Sequence, residues 1–173
     1  STVVVSVTYI VFLRDNLGTI PIIAGTFLVG ATMVYTTKFA KETNEGLPYK
    51  TAILMGLAQG FAIFPGLSRS GITIATALLL GQKRKNAFKF SFLLSIPAII
   101  GDFIVEAYSE RDMILTNGLG VEIIIGVIAA VLAGYFALKL VSKAVQGRKF
   151  HYFAFYTWTL GIALLILTFG IGI

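Results

Sequence analysis

The sequence predicts an all-α integral membrane fold, a polytopic helix bundle, and three observations carry that reading. Of 173 residues, 57% are hydrophobic and 13% are charged, with a mean hydropathy of +0.88. The apolar residues fall in runs of about 20, the length of helix that crosses a bilayer. Short loops rich in Lys and Arg separate those runs, and the period-2 alternation of a membrane barrel is missing. The absence of cysteine excludes disulfides and thiolate metal sites. The net charge of +6 resides in loops between apolar runs, which argues for a membrane partner and against nucleic acid.

The elements follow in order. Ser1–Leu13 is apolar, but 13 helical residues rise only about 20 Å against roughly 30 Å of hydrocarbon. It lacks the basic flank and cleavage site of a signal peptide, so it reads as the end of a spanning helix and the chain as N-terminally truncated. Four later runs are long enough to cross: 18–37, 87–108, 118–141 and 151–171. Between the first two lies 49–81, which Pro65-Gly66 cuts into pieces of about 14–16 residues, too short to span.

Charge distribution decides how 49–81 is used. Lys38, Lys41 and Lys50 precede it; Lys83, Arg84, Lys85 and Lys89 follow it; Lys139, Lys143, Arg148 and Lys149 form a third cluster. A single crossing would put the first two clusters on opposite faces and break the positive-inside rule. A re-entrant hairpin puts all three on one cytoplasmic face. Arg14, Asp15, Glu106, Glu110, Arg111 and Asp112 then fall on the other. Such a hairpin must pack inside a bundle or line a wet cavity, because lipid cannot satisfy its irregular backbone. Gly126, Ala130 and Gly134, four residues apart, form a small-residue seam read as helix packing.

The chemistry concentrates in Pro65-Gly66-Leu67-Ser68-Arg69-Ser70-Gly71-Ile72-Thr73 at the expected hairpin tip. Pro65 and Gly66 reverse the chain and expose backbone amides. Ser68 or Ser70 caps a helix over Gly71–Gly81, whose positive dipole end points at the turn. Arg69 adds a planar five-donor fork that matches phosphate oxygens, and Thr73 lies one turn on. These donors are expected to converge on one anion. An ionisable residue at membrane depth marks a functional site; the competing reading pairs Arg69 with a carboxylate for structural reasons. Gln59 either points its amide into the cavity or makes a buried helix contact. Asp102 and Glu106, on one helix face, either mark the headgroup zone or serve the site, by contacting a metal or lining the substrate entry. His151, amid Tyr152, Phe153, Phe155, Tyr156 and Trp158, reads as part of an interfacial aromatic belt. Pro97 is expected to kink its helix.

The stretch Gln59-Gly60-Phe61-Ala62-Ile63-Phe64-Pro65-Gly66-Leu67-Ser68-Arg69-Ser70-Gly71-Ile72-Thr73, with Phe90–Pro97 after it, resembles the second signature and following helix of the bacitracin-resistance type undecaprenyl-diphosphate phosphatases. The resemblance covers the C-terminal two-thirds of that family's pattern. It implies one half of an inverted-repeat architecture with two hairpin tips meeting at the site. It also implies removal of the terminal phosphate from a C55 polyprenyl diphosphate, regenerating the carrier lipid for cell-wall synthesis. On that resemblance Arg69, Ser68 and Ser70 are the catalytic residues expected to grip the diphosphate, and Pro65, Gly66, Gly71, Thr73 and Gln59 the substrate-binding ones. The family's Glu-rich motif and histidine-bearing loop have no match in this chain. The resemblance therefore implies a divalent cation, Mg or Ca, whose ligands lie outside it, and no metal ligand within it. The nucleophile is left open between a serine and a glutamate-activated water. The expected partners are a polyprenyl diphosphate lipid, the membrane and a second copy of the chain. The expected location is the cell membrane with the site opening outward. A lipid transporter or flippase, or an inactive scaffold fragment, is the alternative.

Overall fold

The computed structural model describes residues 20–43, 46, 48–109 and 121–171. The expectations for Ser1–Leu13, for Arg14 and Asp15, and for Glu110, Arg111 and Asp112 lie outside the described residues. Among the described residues six helices follow one another: α1 Ile20–Thr36, continued by a 3-10 turn Thr37–Phe39, α2 Tyr49–Phe61, α3 Arg69–Leu79, α4 Arg84–Ser109, α5 Val121–Gln146 and α6 Tyr152–Ile171. Four of these elements contain stretches long and apolar enough to cross a membrane, Pro21–Phe39, Arg84–Tyr108, Ile123–Gln146 and Tyr152–Gly170. The other two do not. With 13 residues in α2 and 11 in α3, they rise about 20 and 16 Å at about 1.5 Å per residue.

The helices outrun the apolar stretches that mark them. α4 starts at Arg84 and α5 continues to Gln146, because Lys and Arg are good helix formers whose stems extend an apolar face while the charge reaches water. α4 runs through Pro97. That residue has no N–H for the Leu93 carbonyl and loosens the turn before it.

α3 is the centre of the molecule. Gly71, Ile72, Thr73, Ile74, Ala75, Ala77 and Leu78 are all buried, because α2, α4, α1 and the 3-10 turn surround it. Short helices can be hidden on all sides only when their residues are small, and alanine, glycine and threonine meet that need here. Met55 of α2, Ala87 of α4, Val145 of α5 and Ala154 of α6 complete one core with Ile74, Ala77 and Leu78. α1 and α6 pack against each other more extensively than any other pair. Gly161 permits this, since a Cβ there would stand 3.0 Å from Leu28 Cδ2 and 3.2 Å from the Ala24 carbonyl oxygen. Further along the same interface Trp158 Nε1 donates to Thr32 Oγ1 at 3.3 Å. Tyr35 meets Phe155, Trp158 and His151 there.

Three loops come together at one end of the bundle. Glu42, after the 3-10 turn, lies 3.3 Å from Arg84 at the start of α4 and 3.7 Å from Arg148 in the α5–α6 turn. The Thr43 amide donates to the Gly81 carbonyl at 2.9 Å. The chain therefore enters α2 and leaves α3 at the same end. The α2–α3 pair is a helical hairpin with its turn at residues 62–68, and the contact of Glu42 with Arg84 and Arg148 lies at its other end.

One packing expectation is corrected. A Cβ at Gly126 or Gly134 would meet nothing within 4 Å, and Ala130 is exposed. α5 leans on α4 and, among its described side chains, is buried only at its basic end, at Val145. The seam Gly126–Ala130–Gly134 packs no helix among the described residues.

Candidate functional site

The site is built on the turn that joins α2 to α3. Gly66 has φ +92, in the left-handed region that suits a residue without a Cβ. An added Cβ would lie 2.5 Å from Thr26 Oγ1 and 2.8 Å from the Ile23 carbonyl oxygen, so the turn is pressed against the backbone of α1. The Thr26 hydroxyl, 2.7 Å from the Ile23 carbonyl, also bonds the Pro65 carbonyl. Thr26 is a residue that sequence reasoning missed. A threonine in an apolar helix looks like a local back-bond to its own turn, and only the fold shows the second contact.

Ser68 is the N-cap of α3, in extended conformation (φ −67, ψ 110), and its Oγ accepts from the Gly71 amide at 3.2 Å. That choice settles which of the two serines caps. The helix begins at Arg69, two residues before the expected Gly71. The Gly71 and Ile72 amides are taken by Ser68 Oγ and the Ser68 carbonyl. The amides of Arg69 and Ser70 are the ones that helix geometry leaves over. Ser68 uses its oxygen as acceptor and keeps its O–H as a donor. The partial positive charge of the helix end lies at the same place.

The expectation that all donors of the nonapeptide converge is corrected by the early helix start. At 3.6 residues per turn, neighbours differ by about 100°, while residues four apart share a face. Arg69 and Thr73 both face α4. Arg69 Nη2 donates to Asp102 Oδ2 at 3.3 Å, and Thr73 Oγ1 is 2.5 Å from Ser91 Oγ. Ser91 and Asp102 are 11 residues apart, three turns, and so lie on one side of α4. Thr73 is buried at 1% exposure, held in the α3–α4 contact. Gln59 is also buried. Its Nε2 donates to the Leu94 carbonyl at 3.3 Å, beside the turn that Pro97 loosens, while Oε1 has no partner among the described residues.

Ser68, Ser70, Gly66 and Gly71 face the other way, into a cavity of about 460 Å³. Apart from Thr157, its remaining walls are apolar or aromatic, chiefly Phe27 and Val34 of α1 and Phe153, Tyr156 and Leu160 of α6. The size is that of a small-molecule site. Polarity is arranged along it, with serine hydroxyls and a helix N-terminus at one wall and hydrocarbon elsewhere. This shape suits an amphiphile with an anionic head. Among the described residues no three of His, Asp and Glu come together as a metal-holding group. Asp102, the carboxylate nearest the turn's arginine, is already paired with it.

The family model for the bacitracin resistance protein BacA matches residues 1–163. The chain belongs to that family. Among similar proteins, the undecaprenyl-diphosphatase of Treponema denticola is 42% identical over 149 residues, 86% of this chain and 54% of the relative. That of Korarchaeum cryptofilum is 37% identical over 156 residues, 90% of this chain and 58% of the relative. The undecaprenyl-diphosphatase of Methanothermobacter thermautotrophicus is 38% identical over 144 residues, 83% of this chain and 78% of the relative. The chain thus spans somewhat more than half the length of the first two. Family and apolar helices together make it a multi-pass membrane protein.

Proposed function

We propose that this chain provides the phosphate-gripping part of an undecaprenyl-diphosphate phosphatase, an integral membrane hydrolase that returns the carrier lipid to its monophosphate. The observation that carries the proposal is the Ser68-capped start of α3 opening into an apolar cavity, with Arg69 on the adjoining side. The diphosphate sits against Ser68 O–H, Ser70 O–H and the free amides of the first helical turn. The first prenyl units lie along Phe27, Phe153 and Leu160. Hydrolysis forms a bond from the attacking oxygen to the terminal phosphorus and breaks its bond to the bridging oxygen, releasing polyprenyl monophosphate. Negative charge grows on the phosphoryl and bridging oxygens, and the Arg69 guanidinium and helix N-terminus stabilise it in a site poor in water. The attacking oxygen is a water activated by a carboxylate beyond the turn, which releases inorganic phosphate directly, or a serine hydroxyl, in which case water then cleaves the phosphoserine to free phosphate and restore the serine. The described residues offer no cage for a divalent cation. The relatives are named diphosphatases, which favours hydrolysis over translocation.

Membrane placement supports the same reading. The three basic clusters meet at the Glu42 end and define the cytoplasmic face of the cell membrane by the positive-inside rule. α3 rises about 16 Å from there, so the turn ends near the middle of roughly 30 Å of hydrocarbon. The α2–α3 hairpin is then re-entrant, and Arg69 and Asp102 look toward the outer half. A polyprenyl diphosphate bearing a photoreactive group on its first isoprene tests this arrangement. It should label α6 around Phe153–Leu160, and labelling confined to α5 would refute it.

A further inference from the structure

The Arg69–Asp102 pair is partly exposed and singly bonded, the geometry of a contact made to be exchanged. It consists of one bond, Nη2 to Oδ2 at 3.3 Å, although a guanidinium carries five donors and pairs best with carboxylate by two. The Arg69 side chain is 31% exposed and that of Asp102 66%. A bridge that holds structure together is normally shielded and saturated; this one is neither. Asp102 has no other hydrogen-bond or ion-pair partner among the described residues. Its neighbours on α4, Ile99, Phe103, Ile104 and Val105, are exposed and apolar, so nothing else on its helix accounts for a charge there. An unpaired arginine at this depth would be costly. The only other acid one turn away, Glu106, is also exposed and adds negative charge to the same approach.

Resting on the reading of the turn as a phosphate site, we infer that Asp102 is the resident counter-ion of Arg69, displaced when a phosphate-bearing ligand binds and re-paired when the phosphate product leaves. The carboxylate offsets the guanidinium charge and holds the side chain against α4 in the empty site. A phosphate group, with more charge and a geometry suited to the full fork, takes the arginine from it. Asp102 thereby lowers affinity for substrate and for inorganic phosphate alike, and it speeds product release. It is a positioning and release residue, separate from the groups that touch the reacting phosphorus.

Opposite outcomes separate this role from a merely orienting one. Hydrolysis of a polyprenyl diphosphate by the intact protein in detergent is measured with inorganic phosphate as competitive inhibitor, for wild type, Asp102→Asn and Asp102→Ser. Thermal unfolding confirms that both variants fold. Loss of the competitor should lower KM and the phosphate inhibition constant together, by about twofold to fivefold, the range of a partly exposed ion pair. The gain should vanish when Arg69→Ala is added, because Asp102 acts only through that residue. An unchanged or raised inhibition constant in both Asp102 variants overturns the inference. If Arg69→Ala also weakens phosphate binding, that failure stops at Asp102. If Arg69→Ala leaves KM and inhibition at wild-type values, the phosphate site itself is wrong, and the counter-ion role falls with it.

Discussion

Substitution of Gly66 by alanine probes the turn that sets the whole site. Two costs add. The backbone is at φ +92, where an L-residue with a Cβ is worse than glycine by about 1–2 kcal/mol. The new methyl would also lie 2.5 Å from Thr26 Oγ1 and 2.8 Å from the Ile23 carbonyl oxygen. The threonine can rotate away only by surrendering the Pro65 carbonyl, and the Ile23 oxygen belongs to helical backbone that cannot move alone. Overpacking of that kind costs about 1–3 kcal/mol. The sum is about 2–5 kcal/mol, or a fall of roughly 4–20 °C in Tm at the 2–4 °C per kcal/mol expected for a chain of this size. Thermal unfolding in detergent micelles reads the effect. Gly134→Ala is the control, because a Cβ there meets nothing and alanine favours helix over glycine by about 1 kcal/mol. If Gly66→Ala unfolds within 1–2 °C (about 0.5 kcal/mol) of wild type, the turn is not pressed on α1 as described, and the geometry of the site fails with it.

Other substitutions separate the roles of neighbouring residues. Thr26→Val keeps shape and removes the hydroxyl that holds the Pro65 carbonyl; it should cost about 1–2 kcal/mol in stability and slow turnover, and wild-type values of both would remove Thr26 from the site. Thr73→Val breaks the buried contact with Ser91 and should destabilise by about 1–3 kcal/mol while leaving KM nearly unchanged, which a rise in KM comparable to that of Ser68→Ala would contradict. Glu42→Gln leaves Arg84 without its carboxylate and should lower Tm by the equivalent of about 1–3 kcal/mol without changing substrate affinity; an unaltered Tm would show that the loops are held together by other means.

The helices were legible because apolar runs of membrane length are separated by charged loops, and the same loops led to the expectation of a hairpin. Lys41, Arg84 and Arg148 can share one end only if 49–81 returns to where it started, and Glu42 sits between the two arginines in the structure. Pro65-Gly66 located the turn for a physical reason, since no helix continues through that dipeptide. The direction of each donor was not legible. A helix starting at Arg69 instead of Gly71 turns Arg69 and Thr73 toward α4 and Ser70 toward the cavity, and that two-residue difference depends on which serine caps. The partners of these side chains, Thr26, Ser91 and Asp102, lie 18 to 39 residues away in sequence. Local pattern carries no trace of such pairings. The seam of α5 was misread for the related reason that small residues permit close approach without choosing a partner.

The rate of phosphate release from undecaprenyl diphosphate by the intact protein in detergent, where translocation has no meaning, tests the phosphate grip of α3 most directly. Arg69→Ala should reduce that rate by about 100-fold or more, the loss typical of removing one charge-stabilising donor from a transition state. Turnover close to wild type in that variant would contradict the claim that the start of α3 grips the diphosphate.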